Sequence, residues 1–159
     1  MTTPGVGEKA PDFQSSDQDG KTWTLQDFQG ESLVLYFYPK DDTPGCTREA
    51  CGFRDLQAEF EELGARIVGV SPDDTDRHAR FAEKHELPFT LLSDPDHETA
   101  EAYGVWKEKN MYGRKFWGIE RTTFIIGPDG TIVKVYPRVK VNGHVEKVFE
   151  DVKGLVAAV

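Results

Sequence analysis

Leu-Val-Leu-Tyr-Phe-Tyr at residues 33–38 is followed directly by Pro-Lys-Asp-Asp-Thr-Pro-Gly-Cys at 39–46, and together they give the strongest structural signal in this chain. A near-continuous apolar run of this length is typical of a central strand that is buried on both faces. The turn residues that follow end the strand, and apolar side chains with helical spacing begin near Cys46. The sequence therefore predicts a strand, a tight loop and a helix in succession, with a cysteine where the helix begins.

A cysteine at the start of a helix lies where a thiol ionises most readily. The first N–H groups of a helix have no partner within the helix, and they carry partial positive charge. This charge favours the thiolate, which is the nucleophilic form of cysteine. The alternative is a buried and inert cysteine. Its position directly after the Pro44-Gly45 turn favours a reactive Cys46.

The remaining elements alternate between strands and helices. Turn residues Asp19-Gly20 predict a hairpin over 13–25, and a helix from about Cys46 to Leu63 ends at Gly64. Residues 105–118 lack a clear period and are predicted to form a loop. The other predicted elements are strands at 66–71 and 91–93, helices at 74–85, 98–103 and 143–156, and a hairpin over 122–136. This order predicts an α/β fold with a central mixed β-sheet flanked by helices and an N-terminal β-hairpin, in one domain spanning 1–159.

Composition limits the classes of partner. The chain has 159 residues and a net charge of −9, which repels nucleic acids and anionic membrane surfaces, so neither is expected as a partner. No apolar run approaches the roughly 20 residues of a membrane helix. The first residues show neither a basic segment nor an apolar one, so no secretory signal is predicted and the expected location is the cytoplasm.

The two cysteines of the chain, Cys46 and Cys51, are five residues apart. A structural disulfide is one interpretation, but it would close a loop too short to constrain the unfolded chain strongly. A redox-active pair is the other interpretation, and a reducing cytosol favours it. Zinc sites need about four ligands, which two cysteines and scattered histidines do not supply, so no metal or cofactor is predicted.

The spacing of Pro39, Thr43 and Cys46 resembles the peroxidatic motif of peroxiredoxins. With Cys51 added, the chain is similar to the peroxiredoxin Q group, also called bacterioferritin comigratory proteins. The resemblance extends from about residue 7 to the C-terminus. Further matching segments are Gly-Glu-Lys-Ala-Pro-Asp-Phe at 7–13, Phe-Thr-Leu-Leu-Ser-Asp at 89–94, and Gly-Ile-Glu-Arg at 118–121, with the strand that follows.

This resemblance implies a thioredoxin-like fold and a thiol peroxidase that reduces hydrogen peroxide and alkyl hydroperoxides. Cys46 would form a sulfenic acid, and Cys51 would resolve it as an intramolecular disulfide. Thioredoxin, or a glutaredoxin-like protein, is the implied reductant, and a monomer is the implied state. If 46–51 were regular helix, the two Cα atoms would lie about 8–9 Å apart, whereas a disulfide requires less than about 7 Å, so the helix would have to unwind locally.

Three further site residues have two interpretations each. Thr43 is either a helix N-cap or a donor to the peroxide, and both roles can hold together. Pro39 either ends the strand or, as the resemblance implies, closes one side of the pocket. Arg121 stands just before the strand at 122–126, where a solvated edge charge is the ordinary interpretation. The resemblance instead implies that its guanidinium favours the thiolate and holds the peroxide.

Other functions fit the sequence less well. A thioredoxin-like disulfide oxidoreductase uses Cys-x-x-Cys at this turn, but Thr43 occupies the first position. A copper carrier would need a different cysteine spacing, and a redox sensor would differ only in turnover. Asp41 and Asp42 are predicted to be solvated loop residues, and His78 and His85 lie about two turns apart on a helix, roughly 10 Å, too far to share a metal ion.

Overall fold

In the computed structural model, which describes residues 3–157, the chain forms nine strands and five α-helices. The strands are β1 Gln14–Ser16, β2 Thr22–Thr24, β3 Ser32–Phe37, β4 Ala65–Ser71, β5 Thr90–Ser93, β6 Trp106–Met111, β7 Arg114–Ile119, β8 Thr122–Ile126 and β9 Ile132–Tyr136. The helices are α1 Pro44–Asp55, α2 Gln57–Glu62, α3 Thr75–His85, α4 Glu98–Ala102 and α5 His144–Ala157, and a 3-10 helix spans Leu25–Phe28.

Seven strands form one mixed sheet in the order β2-β1-β5-β4-β3-β8-β9. The β3–β4 and β4–β5 pairs are parallel, and the β1–β2, β1–β5, β3–β8 and β8–β9 pairs are antiparallel. The predicted mixed sheet with flanking helices and an N-terminal hairpin is therefore confirmed. β3 lies between β4 and β8, so the loop that follows it leaves from the middle of the sheet.

The central strand β3 is buried on both faces, as its apolar run predicts. Val34 and Tyr36 point into a core that includes side chains of α1, α3 and α5. Leu35 and Phe37 point into a second core on the opposite face, which includes the 3-10 helix and α4. Since both faces are covered by apolar side chains, burial stabilises the strand that leads into the loop at 38–43.

The prediction of a loop over 105–118 is wrong. This segment forms a separate two-stranded antiparallel sheet, β6–β7, with Trp106 opposite Ile119 and Met111 opposite Arg114. The two-residue connection has positive φ at both Tyr112 and Gly113, which is the geometry of a type I′ hairpin turn. Most side chains on both faces of this hairpin are exposed, so its sequence shows no alternation between apolar and polar residues.

The predicted helix over 46–63 is confirmed with one break. The chain tightens at Leu56, whose N–H bonds to the carbonyl of Phe53, and this separates α1 from α2. Gly64, predicted to end the helix, has the left-handed φ of 72°. Phe53 and Phe60 on either side of the break are both fully buried.

No helix among the described residues is long and apolar enough to cross a membrane.

Candidate active site

Cys46 lies in the first turn of α1, just beyond the carboxyl end of β3. Thr43 occupies the N-cap position and Pro44 the first helical position, where its missing N–H costs nothing. The Cys46 side chain is 1% exposed and belongs to the core on the α1 face of the sheet. The thiol is therefore close to the positive end of the helix and shielded from water.

Arg121 approaches the thiol from the neighbouring strand. β8 runs antiparallel to β3 with Thr122 opposite Phe37, so Arg121 enters the sheet where β3 leaves it. Its Nη2 lies 3.3 Å from Cys46 Sγ. A Cβ at Gly45 would lie 3.3 Å from the same nitrogen, tighter than most such contacts, so a glycine at this position leaves room for the guanidinium.

Glu49 holds the other arm of the guanidinium. It lies one helical turn after Cys46, on the same face of α1, and its Oε1 accepts a hydrogen bond of 2.7 Å from Arg121 Nη1. The carboxyl group is fully buried, and burial raises the pKa of Glu49 to about 7, against the opposing effect of Arg121. Sequence analysis missed Glu49, because only the fold brings it to Arg121.

His144 and Tyr36 complete the buried surroundings of Glu49. His144 Nε2 lies 2.9 Å from Thr123 Oγ1 and 3.9 Å from Glu49 Oε2. Burial and the Arg121 cation lower the pKa of His144 to about 4, so the ring is neutral near pH 7. Burial, with Glu49 as the next largest cause, raises the pKa of Tyr36 well above its usual value.

The tyrosine is accommodated by a glycine on the next strand. Gly69 of β4 is opposite Tyr36 in the sheet, and a Cβ there would come within 2.9 Å of the tyrosine ring and hydroxyl. The Tyr36 hydroxyl and Glu49 Oε2 make no hydrogen bond within residues 3–157. The floor of the site is thus packed against backbone, with little space for any added side chain.

Thr43 and Pro39 lie on the loop between β3 and α1. The Thr43 backbone carbonyl accepts from Thr47 N–H, as an N-cap residue does. Thr43 is thus the N-cap residue, without a side-chain cap bond. Its hydroxyl donates instead to the carbonyl of Lys40 at 2.9 Å, so its proton is not free for the predicted donation to a peroxide. Pro39 is half-buried, two residues beyond the end of β3.

Cys51 lies on the same helix as Cys46 but in different surroundings. Both thiols are free, with Cys46 buried and Cys51 half-buried. The neighbouring Gly52 faces α5, where a Cβ would lie 3.0 Å from Val145 Cγ2. Since 46–51 are regular helix, helix geometry separates the two Cα atoms by about 8–9 Å.

The β6–β7 hairpin brings a lysine near the site and carries several exposed apolar side chains. Burial, followed by repulsion from Arg121, lowers the pKa of Lys109, and Cys46 acts in the opposite direction. Four large apolar side chains of the hairpin are exposed, namely Met111, Tyr112, Phe116 and Trp117. Trp106 instead stacks on His97 with ring centroids 4.0 Å apart.

Asp41 is 3% exposed, so its prediction as a solvated loop residue is wrong. It lies with Asp73 and His78 in a group whose polar atoms are all within 4.8 Å of one another. These atoms are occupied by hydrogen bonds to protein donors and acceptors, so the group suits a hydrogen-bond network better than a metal ion. Asp42 is exposed, as expected, and pairs with Lys84 and His85.

Comparison with known proteins identifies the family of this chain. The sequence model of the AhpC/TSA family matches residues 6–135. The chain belongs to the AhpC/TSA family. It is 49% identical to the peroxiredoxin Bcp of Bacillus subtilis over 150 residues, which cover 94% of this chain and 96% of that one. It is 46% identical to the peroxiredoxin Bcp of Escherichia coli K12 over 148 residues, covering 93% and 95% of the two chains.

Solved structures of related proteins have the same fold as this chain. A structure of Xanthomonas campestris peroxiredoxin Q superposes with a TM-score of 0.87 at 44% identity, covering 91% of each chain. A trapped intermediate/ligand complex of the Xanthomonas campestris bacterioferritin comigratory protein superposes with a TM-score of 0.90 at 42% identity, covering 96% and 99%. That work concerns alkyl peroxide reduction by that protein. The thioredoxin-like fold is confirmed, and the chain is a peroxiredoxin of the Q/Bcp group, a thiol peroxidase.

Proposed function

We propose that Cys46 is the peroxidatic cysteine of this peroxiredoxin. Its thiolate sulfur forms a bond to one oxygen of a hydroperoxide as the O–O bond breaks. The sulfur is oxidised to a sulfenic acid, and the second oxygen leaves and takes up a proton as water or an alcohol. The 3.3 Å contact between Arg121 Nη2 and Cys46 Sγ is the observation that carries this proposal, because it places a permanent cation against a buried thiol.

Arg121 is proposed to act before and during the O–O cleavage. A guanidinium keeps its proton at all relevant pH values, so it stabilises the thiolate and then the charge that develops on the leaving oxygen. Glu49 fixes one arm of the fork at 2.7 Å. The other arm is then aimed at the sulfur, and the cation needs no rearrangement when peroxide arrives.

Thr43 and Pro39 are proposed to shape the pocket around the peroxide. The Thr43 proton is committed to the Lys40 carbonyl, which leaves the oxygen lone pairs free to accept from the O–H of a hydroperoxide. Pro39 is half-buried on the same loop, where its ring would limit the access of water. Both residues would then orient the peroxide without titrating.

Cys51 is proposed to resolve the sulfenic acid. Its thiolate attacks the oxidised Cys46 sulfur, the sulfur–oxygen bond breaks, and the departing hydroxide takes up a proton from solvent to become water as the Cys46–Cys51 disulfide forms. The regular helix over 44–55 separates the two Cα atoms by more than a disulfide allows. The first turns of α1 must therefore unwind during each cycle, and Gly45 and Gly52 lower the helical stability of the segment by about 1 kcal/mol each.

Substrates and partners follow from the same reasoning. Hydrogen peroxide and alkyl hydroperoxides are the proposed substrates, supported by the structural likeness to the Xanthomonas campestris protein. Thioredoxin, or a glutaredoxin-like protein, is the proposed reductant of the disulfide. A monomer in the cytoplasm, without nucleic acid or membrane partners, is the proposed state, which the net charge of −9 supports.

A coupled assay tests the proposal. Peroxide consumption is measured with thioredoxin, thioredoxin reductase and NADPH for the wild type, Cys46→Ser and Cys51→Ser. Cys46→Ser is expected to reduce turnover to background. Cys51→Ser is expected to consume one equivalent of peroxide and to retain a sulfenic acid that dimedone traps, as seen by mass spectrometry. If Cys51→Ser consumed no peroxide while Cys46→Ser consumed one equivalent, the two roles would be reversed.

A further inference from the structure

The loop between β3 and α1 is tied to the body of the protein through Asp41. Asp41 Oδ1 accepts from the Tyr38 hydroxyl, and Oδ2 lies 2.6 Å from His78 Nδ1 on helix α3. The Asp41 backbone N–H donates to Asp73 Oδ2 at 2.7 Å. Both carboxylate oxygens and the backbone of one loop residue are therefore bound to three different parts of the chain.

His78 is held at both ring nitrogens. Its Nε2 lies 3.0 Å from the carbonyl oxygen of Leu92 on β5. Its Nδ1 lies 2.6 Å from Asp41 Oδ2, so the ring joins the loop to β5. Both side chains are almost fully buried, and every polar atom of the pair is used.

Asp73, two residues beyond the end of β4, accepts the hydrogen bond from the Asp41 backbone N–H. Its Oδ2 also accepts from the Ser71 hydroxyl at 2.7 Å, and its Oδ1 lies 3.0 Å from Arg77 Nε. Asp73 is therefore held in place independently of the loop between β3 and α1. The loop residue Asp41 is the member of the group whose displacement would move the active site.

Asp41 is close in the chain to the residues proposed to act on the peroxide, so moving Asp41 would move them. Thr43 lies two residues later, and its hydroxyl is bound to the carbonyl of Lys40, which directly precedes Asp41. Asp42 between them has a left-handed φ of 61°, an uncommon conformation for a residue with a side chain. Asp41 fixes the residue that directly precedes this left-handed position.

We propose that Asp41 and His78 are positioning residues for the peroxide step: their buried contact holds the loop so that Thr43 and Cys46 face the same pocket. This inference rests on the proposed role of Cys46. It assigns a function to two residues that touch neither the thiol nor Arg121 among the contacts described above. It also separates the two chemical steps, because the contact lies before α1 and does not involve the segment that must unwind for resolution.

Two pairs of variants test the role of this contact. Asn at position 41 can accept from Tyr38 and donate to His78 Nδ1, so Asp41→Asn keeps every bond, whereas Asp41→Ala removes them. Asn at position 78 places an N–H where Nδ1 was and keeps the bond to Asp41, whereas Gln places one where Nε2 was and keeps only the bond to Leu92. The His78→Asn and His78→Gln variants each lose one hydrogen bond, and the urea midpoint of each measures how far their stabilities differ.

The readout is the second-order rate constant of the reduced protein with hydrogen peroxide, measured by stopped flow, beside the urea midpoint and the rate of disulfide formation. Asp41→Ala and His78→Gln are expected to lower the peroxide rate constant by roughly tenfold or more, because small displacements of reacting groups are costly. Asp41→Asn and His78→Asn are expected to stay within about threefold of the wild type, because loop geometry is kept. Disulfide formation, once the sulfenic acid exists, is expected to be unchanged in all four.

A wild-type rate in Asp41→Ala and His78→Gln would overturn the inference, and so would an equal loss in His78→Asn and His78→Gln. If Asp41→Ala does not fold, the two His78 variants decide the question, since both retain Asp41. In ¹⁵N-histidine NMR, the wild type should show a far-downfield imidazole N–H resonance that Asp41→Ala lacks. Cys46→Ser serves as the separate control: a wild-type rate there would refute the proposed function, whereas an inactive Cys46→Ser with fully reactive Asp41→Ala and His78→Gln would refute only the positioning role.

Discussion

The two cysteines of helix α1 lie in contrasting environments. Cys46 is 1% exposed and lies 3.3 Å from Arg121 Nη2, which Glu49 in turn holds. Cys51 is half-buried and lies beside a glycine at the contact with α5. The difference corresponds to what each proposed step requires: attack on peroxide needs groups fixed in advance, and disulfide formation needs a segment that can move.

The largest expected effect comes from removing the fixed cation. Arg121→Ala should lower the rate constant for peroxide by roughly a hundredfold, as the loss of one electrostatic donor does in other active sites. Arg121→Lys keeps the charge but lacks the planar fork whose two arms reach Glu49 and Cys46, so an intermediate rate is expected. Stopped-flow measurement with excess hydrogen peroxide gives both values. If Arg121→Ala reacted as fast as the wild type, the contrast between the two thiols would lose its electrostatic basis.

Glu49 should make the stability of the folded protein depend on pH. Its folded pKa of about 7 lies above the ordinary carboxyl value, so the folded protein binds the proton more tightly than the unfolded chain. The contribution of Glu49 to stability is thus present at low pH and is lost as the pH rises from about 4.5 to 7. Glu49→Gln abolishes this loss and keeps an acceptor for Arg121.

The advantage of Glu49→Gln over the wild type should therefore grow across this window by at most about 3 kcal/mol. Urea unfolding at several pH values measures it. Because the pKa of His144 is lowered to about 4, its contribution to stability is lost as the pH drops from about 6.5 to 4, in the direction opposite to that of Glu49. A difference that is flat between pH 4.5 and 7 would contradict the prediction.

A smaller effect is expected from Gly45→Ala. The added methyl group would lie 3.3 Å from Arg121 Nη2 and push the guanidinium aside by a few tenths of an ångström. The peroxide rate constant should fall by roughly three- to tenfold. Gly154→Ala on α5 is the matched control, because an added Cβ there meets open space. Equal rates for Gly45→Ala and Gly154→Ala would show that the guanidinium tolerates displacement.

The smallest effect concerns the segment of α1 that must unwind for the disulfide to form. Hydrogen exchange of residues 46–54 should be several-fold faster in the oxidised protein than in the reduced protein, because the disulfide cannot form within a regular helix. Helix α3, which carries His78, provides the internal reference and should exchange alike in both states. Equal protection of 46–54 in the two states would rule out the unwinding.

Local signals in the sequence were sufficient for the elements that build the site. The apolar run before Pro39 predicts β3, and the turn residues before Cys46 predict the start of α1, because both depend on neighbours in the chain. The burial of Asp41 was not predictable, since two adjacent acidic residues ordinarily lie in solvent and only the fold brings His78 to one of them. Glu49 was missed for the same reason, and the β6–β7 hairpin because exposure on both faces removes the alternation that marks a strand.

Gly69 is a position near the site at which substitutions are restricted by the available space. Its Cα lies opposite Tyr36, and the Cβ of any larger residue would come within 3.0 Å of the buried Tyr36 ring and of Leu91 Cδ2, so one of the two side chains would have to move. A substitution there would therefore alter chemistry and folding together, although the residue carries no reactive group. Mutational surveys of this protein should find position 69, in the middle of a strand, as intolerant as the cysteine itself.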